Sequence, residues 1–165
     1  MIGNPSQDQD KSQHKLGDET FISADELRDY MHHQEVLKAN KALEAIDRAD
    51  KARAELIKTL SEPMDMTPER VHEISQNLIL KMRLAAERGE SEIMVMRFPN
   101  ALCTDKGRAI NNAEPTWPET LVGRPRQAYE MWRDHLRDAH FKLKAMIIDW
   151  PNGMPGDVGM FISWV

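Results

Sequence analysis

The short polar side chains best placed to do chemistry in this sequence follow Cys103. Asp105, Arg108 and Asn112 stand at steps of three and four residues, so they share one face if the segment 101–110 forms a helix that runs on to Asn112. A carboxylate, a guanidinium and an amide on one face could hold a small polar ligand. The alternative is structural, because the same side chains can cap a helix and hold the loop that follows. No residue is assigned as catalytic.

Cys103 is the only cysteine in the chain. A nucleophilic thiol needs a nearby base and an electropositive setting, and the nearest histidines along the sequence are His135 and His140. The sequence therefore favours a buried, inert Cys103. It also lacks a His-x3-His pair or a cysteine cluster, so we expect no metal site and no cofactor.

The glycine-rich stretch "PNGMPGDVGMFISW", residues 151–164, could be a phosphate-binding loop or a turn between strands. Its glycines fit neither phosphate-loop spacing, and Pro155 removes a backbone donor. Asn-Gly at 152–153 favours a turn, which predicts a hairpin of strands Phe141–Asp149 and Val158–Trp164. Trp150 and Met154 near its tip are candidate contacts for a partner protein. Alternatively, Met154 folds back over the sheet edge.

Arginine is frequent between residues 124 and 137, but acidic residues alternate with it. Glu130 and Asp134 follow Arg126 at four-residue steps, which is typical of a solvated ladder of ion pairs. The formal net charge of the chain is −5. Nucleic acid is therefore not an expected partner.

A long polar helix is predicted from Ala24 to Leu60. Ser23 and Glu26 form a capping box, and no Gly or Pro follows before Pro63. The apolar stripe is narrow and its spacing is compatible with a coiled coil; it consists of Val36, Ala39, Leu43, Ile46, Ile57 and Leu60, with Asp50 and Arg53 in between. We expect residues 24–60 to bind a protein partner or a second copy of the chain.

The remaining elements predict an α+β domain. A second helix, Pro68–Arg88, follows a link short enough for a helical hairpin. Then come strand Ile93–Met96, helices 101–110 and Pro125–Asp138, and the hairpin described above. This order, strand-helix-helix-strand-strand, predicts a small, mostly antiparallel three-stranded sheet packed by helices. The predicted domains are a disordered head at 1–20, a helical arm at 21–62 and an α+β domain at 63–165.

Composition narrows the functional class. A lone cysteine favours a cytoplasmic protein, and no apolar run approaches the roughly 20 residues of a membrane helix. We expect an interaction or regulatory module that is not an enzyme and that oligomerises or docks through its arm. The alternative is a small-ligand-binding domain or small enzyme using Asp105, Arg108 and Asn112. All four tryptophans follow residue 90, so we expect them to dominate the core, and we expect a chain lacking residues 1–60 to remain folded.

Overall fold

The computed structural model of the chain describes residues 22–165, and the disordered head expected at 1–20 lies outside that range. Two long helices come first, α1 (Ala24–Ser61) and α2 (Pro68–Glu87). They are followed by β1 (Glu92–Phe98), α3 (Arg108–Asn111), α4 (Gly123–His135), β2 (Lys142–Ile147) and β3 (Val158–Ser163), with 3₁₀ turns at Asn100–Leu102, Trp117–Thr120 and Pro151–Gly153. Within residues 22–165, no helix combines the length and the apolar character that crossing a membrane requires.

The two long helices begin where their capping residues predict. The Ser23 amide donates to Glu26 Oε2 at 2.8 Å, and the Glu26 amide donates to Ser23 Oγ at 3.1 Å. At the start of α2, Thr67 Oγ1 accepts from the Arg70 amide at 3.2 Å, and Pro68 occupies the first helical position. Each cap satisfies amides that have no partner inside the helix.

The sheet is antiparallel throughout, with β3 between β1 and β2. Cross-strand partners point to the same face of a sheet. The row Phe98, Val158 and Ile147 therefore lies on one face, whereas the row of Met94, Phe161 and Lys144 lies on the other. The α+β class and the predicted β2–β3 hairpin are both confirmed.

The core lies on one face of this sheet. Its buried side chains come from the strands and from the segments between β1 and α4: Phe98, Leu102, Cys103, Ile110, Leu121, Ile147, Val158 and Met160. Ile57 and Leu60 of α1 pack against it, and the chain divides into two compact units after Asp50. The last turns of α1 therefore belong to the C-terminal unit, whereas the pattern of the sequence assigned them to the arm.

The helix predicted over residues 101–110 is wrong. Lys106 and Gly107 have φ angles of 58° and 86°, a left-handed backbone that a right-handed helix cannot contain. Cys103 is extended and bridges Leu121. A 3₁₀ turn, this bridge and the four residues of α3 replace the single helix.

The expectation that tryptophans dominate the core is also wrong. Trp117, Trp132 and Trp164 are half-buried and Trp150 is exposed. Trp132 lies on α4, and its indole Nε1 donates at 2.9 Å to the carbonyl of Phe141, the residue before β2. The largest fully buried side chains are instead those of Phe98, Leu102 and Met160.

Candidate functional site

Asp105, Arg108 and Asn112 do not share a helical face. Asp105 precedes α3, and its carboxylate accepts from the amide of Gly107 at 3.0 Å and from that of Ala109 at 2.8 Å. Arg108 begins α3, Asn112 follows its end, and both side chains are exposed. Because both oxygens of Asp105 cap backbone amides, this carboxylate fixes the start of α3.

Cys103 is buried beside Leu121. Burial raises the pKa of its thiol from 9.0 to about 11, although a hydrogen bond with Thr120 acts in the opposite direction. The thiol is therefore protonated at neutral pH, and a protonated thiol is a poor nucleophile.

The loop that joins β2 to β3 holds Trp150 and Met154 at the surface. Both side chains are exposed, Met154 by 67%. The loop is tied at its base, where the Asp149 carbonyl accepts from the Gly156 amide at 3.0 Å and the Asp149 carboxylate accepts from the Asp157 amide. Its tip turns at Asn152 and Gly153, whose φ angles are 54° and 75°, as the Asn-Gly signal predicts. The two apolar side chains thus stand on an ordered loop.

An ionic cluster that the sequence did not predict lies beside this loop. Asp157 accepts from Arg53 Nη1 at 3.1 Å and from Arg97 Nε at 2.9 Å, and Arg97 also reaches Asp149 at 3.5 Å. Asn100 accepts from Arg53 at 3.4 Å and donates to the Pro155 carbonyl at 3.1 Å. We call the five residues that contribute side chains, Arg53, Arg97, Asn100, Asp149 and Asp157, the Asp157 cluster. Its guanidinium and carboxylate groups neutralise one another, so the cluster connects α1 to the loop.

One feature of the sequence does indicate the Asp157 cluster. Arg53 interrupts the apolar stripe of α1, and a charge at a stripe position needs a polar partner wherever that stripe is covered. The partner, Asp157, is 104 residues away, so only the folded chain identifies it.

The arginines of α4 are engaged within the chain. Arg126 donates to Glu130 at 3.1 Å and to the Pro118 carbonyl at 2.8 Å, and its guanidinium lies 5.5 Å from the centre of the Tyr129 ring. Arg133 donates to Asp134 at 2.9 Å, and this hydrogen bond lowers the pKa of Asp134. In residues 22–165, no group of three His, Cys, Asp or Glu side chains is arranged to hold a metal ion.

Among the described elements, α1 carries the largest number of exposed large hydrophobic residues. None of its residues is fully buried. Leu43 is 64% exposed and Ile46 is 58% exposed, and with Val36 and Ala39 they form one row at heptad spacing. We call these four residues the α1 row. Further along the helix, Ile57 and Leu60 of the same stripe pack on the core.

Comparisons of this chain with models of protein families, with curated proteins and with solved structures find no match. The functional conclusion therefore depends on the residues of this chain alone.

Proposed function

We propose that this protein is a non-enzymatic interaction module that associates with a second copy of itself through the α1 row. The observation that carries the proposal is the exposure of Leu43 and Ile46 on a long, regular helix. A helix whose surroundings are water gains little from packing, and most helices depend on burial of an apolar face for their stability.

The spacing of the α1 row suits a second helix. Val36, Ala39, Leu43 and Ile46 alternate in steps of three and four residues, the arrangement that lets two helices bury a shared seam. Burying a leucine or isoleucine side chain completely is worth about 1.5–3 kcal/mol, so a row of this kind on each of two helices supports a weak to moderate association.

The alternative function, ligand binding at Asp105, Arg108 and Asn112, has less support. Both oxygens of the Asp105 carboxylate accept backbone amides, and the three side chains do not converge on one face. A ligand at this position would have to displace the cap of α3.

Light scattering coupled to size-exclusion chromatography tests the proposal over a range of protein concentrations. We expect the full chain to form a dimer and the double variant Leu43→Gln, Ile46→Gln to be a monomer. Lys38→Gln with Lys41→Gln is the matched control, because these residues lie on the opposite side of α1. The control should remain dimeric. A monomeric full chain at every concentration, or equal dissociation of both variants, would contradict self-association through this row.

A further inference from the structure

A groove with both apolar and charged lining residues lies between α2 and β1. Its volume is about 420 Å³, and it is lined by Lys81 and Leu84 of α2, by Glu92, Ile93 and Met94 of β1, and by Arg88 and Glu90 of the segment between them. Leu84 and Met94 are exposed hydrophobic residues. The groove is distinct from the α1 row and uses none of its residues.

The strand that forms one wall of this groove is an edge strand. β1 pairs with β3 alone, and within residues 22–165 no backbone group of Glu92–Phe98 hydrogen-bonds outside that ladder. An open strand edge presents a row of N–H and C=O groups that another extended backbone can satisfy. The chemistry of the edge therefore selects an extended segment over a helix.

Two features distinguish this edge from the opposite one. The outer edge strand, β2, carries exposed Lys142 and Lys144, and lysines on an edge strand discourage pairing with other chains. On β1 the pairing register shifts between Met94 and Met96, so a bulge separates the stretch Glu92–Met94 from the paired stretch Met96–Phe98. That stretch, Glu92–Met94, is the part of β1 that lines the groove.

The charges around the groove indicate the sign of the charge that a bound segment would carry. Arg88 is paired with Glu90 at 2.9 Å and Glu92 with Lys144 at 2.7 Å. Lys81 forms no ion pair with any side chain of residues 22–165. The unpaired charge of the groove is therefore positive, and it favours an acidic residue in a bound segment.

We propose that the groove between α2 and β1 binds an extended peptide of a partner protein, which adds as a strand to the edge of β1 at Glu92–Met94. Alternate apolar side chains of the peptide enter the groove against Leu84 and Met94, and an acidic side chain pairs with Lys81. Backbone pairing supplies a contact that any extended peptide could make, and the groove selects among such peptides by their side chains.

The test is a titration of the full chain, followed through backbone amide chemical shifts. The probe is a blocked synthetic peptide in which Val alternates with Thr and one central Val is replaced by Glu, so that the carboxylate lies on the same face as the remaining Val side chains. We expect the largest shifts at the amides of Glu92, Ile93 and Met94. The same peptide with alternate backbone nitrogens methylated should bind at least about tenfold more weakly, because it lacks the donors that pair with the strand edge.

Matched protein variants separate the groove from a general effect on α2. Leu84 and Ile79 are both 45% exposed on this helix, but only Leu84 lines the groove. We expect Leu84→Gln to weaken peptide binding about tenfold and Ile79→Gln to leave it unchanged. Lys81→Glu should reverse the preference, so that a peptide with a central Lys binds more tightly than the one with Glu.

Several outcomes would overturn the proposal. Absence of binding up to the solubility limit of the probe would do so, as would equal affinity for the methylated peptide or an equal loss in the Leu84 and Ile79 variants. The amide chemical shifts of Glu92–Met94 could instead change with protein concentration in the absence of peptide. This result would mean that a second copy of the chain occupies the edge of β1, and it would contradict the proposal of a partner peptide.

Discussion

At the residue scale, Gly123 combines a positive φ angle with close backbone neighbours, so among residues 22–165 it is poorly able to accept a side chain. Its φ angle is 60°, and a Cβ atom there would lie 2.8 Å from Ser61 Cα. We expect Gly123→Ala to lower the free energy of unfolding by about 2–5 kcal/mol, through a strained backbone and a steric conflict with the end of α1.

Gly153→Ala is the control for that measurement in urea denaturation. Gly153 also has a positive φ angle, 75°, but nothing lies within 4 Å of the added Cβ. The variant should lose only the backbone strain, about 1–2 kcal/mol. Equal losses at the two positions would mean that α4 does not approach α1 closely at Gly123.

Cys103 gives the stability of the protein a pH dependence at alkaline pH. The pKa of its thiol is raised from 9.0 to about 11 in the folded chain, so the folded state keeps its proton where the unfolded state has lost it. The stabilisation is complete below pH 9 and is lost as the pH rises towards 11, a fall of roughly 2 kcal/mol. The measurement is the unfolding free energy of wild type relative to Cys103→Ala, which should be constant below pH 9. If this difference in unfolding free energy stays constant up to pH 11, the thiol is hydrated in the folded state.

Asp157 is the acceptor that joins two arginines from different elements. Its side chain is 17% exposed and receives Arg53 and Arg97. We expect Asp157→Asn to lower stability by about 1–3 kcal/mol, because both charge-assisted hydrogen bonds weaken. Asp134→Asn is the control, since that carboxylate is 53% exposed and pairs with one arginine; it should lower stability less than Asp157→Asn does. If the two variants are equally stable in thermal unfolding, the Asp157 cluster contributes nothing beyond an ordinary surface pair.

At the scale of elements, the last turns of α1 are part of the folded unit. Ile57 and Leu60 pack on the core, and Arg53 reaches Asp157. We therefore revise the expectation that residues 1–60 are dispensable. A chain beginning at Lys51 should fold cooperatively, whereas a chain beginning at Glu62 should be less stable by up to about 1.5–3 kcal/mol for each of these two partly buried side chains.

Circular dichroism during urea denaturation of the two truncated chains distinguishes these cases. The double variant Ile57→Ala, Leu60→Ala in the full chain serves as the control, because it removes the packing and leaves the length unchanged. The stability of this double variant should be similar to that of the chain beginning at Glu62. A chain beginning at Glu62 with the stability of one beginning at Lys51 would restore the boundary predicted from the sequence.

At the scale of the whole molecule, we expect the loss of stability caused by a core substitution to follow the burial of the side chain rather than its size. Phe98 has no exposed surface, whereas Trp132 is half-buried. We expect Phe98→Ala to cost about 3–5 kcal/mol and Trp132→Ala to cost less, although it also removes the hydrogen bond to Phe141. Chemical denaturation of both variants measures the order, and a larger loss for Trp132→Ala would locate the centre of the core beside α4.

Local sequence signals predicted most of the elements. The caps at Ser23 and Thr67 placed the starts of α1 and α2, and the Asn152-Gly153 turn predicted the pairing of β2 with β3. These signals act between residues that are close along the chain, so they can be recognised from the sequence alone. The segment 101–110 was mispredicted because its composition permits a helix, while the bridge between Cys103 and Leu121 requires an extended backbone there.

The sequence by itself determined the fold class, the long helix with an exposed row of apolar residues, and the ordered turn that carries Trp150 and Met154. Only the tertiary structure decided which polar residues meet. It assigned the carboxylate of Asp105 to the cap of α3, joined Arg53 to Asp157 across 104 residues, and placed Leu84 beside the free edge of β1. Periodicity and capping depend on neighbours within a few positions, whereas ion pairs, burial and open strand edges depend on contacts that exist only after distant segments have packed together.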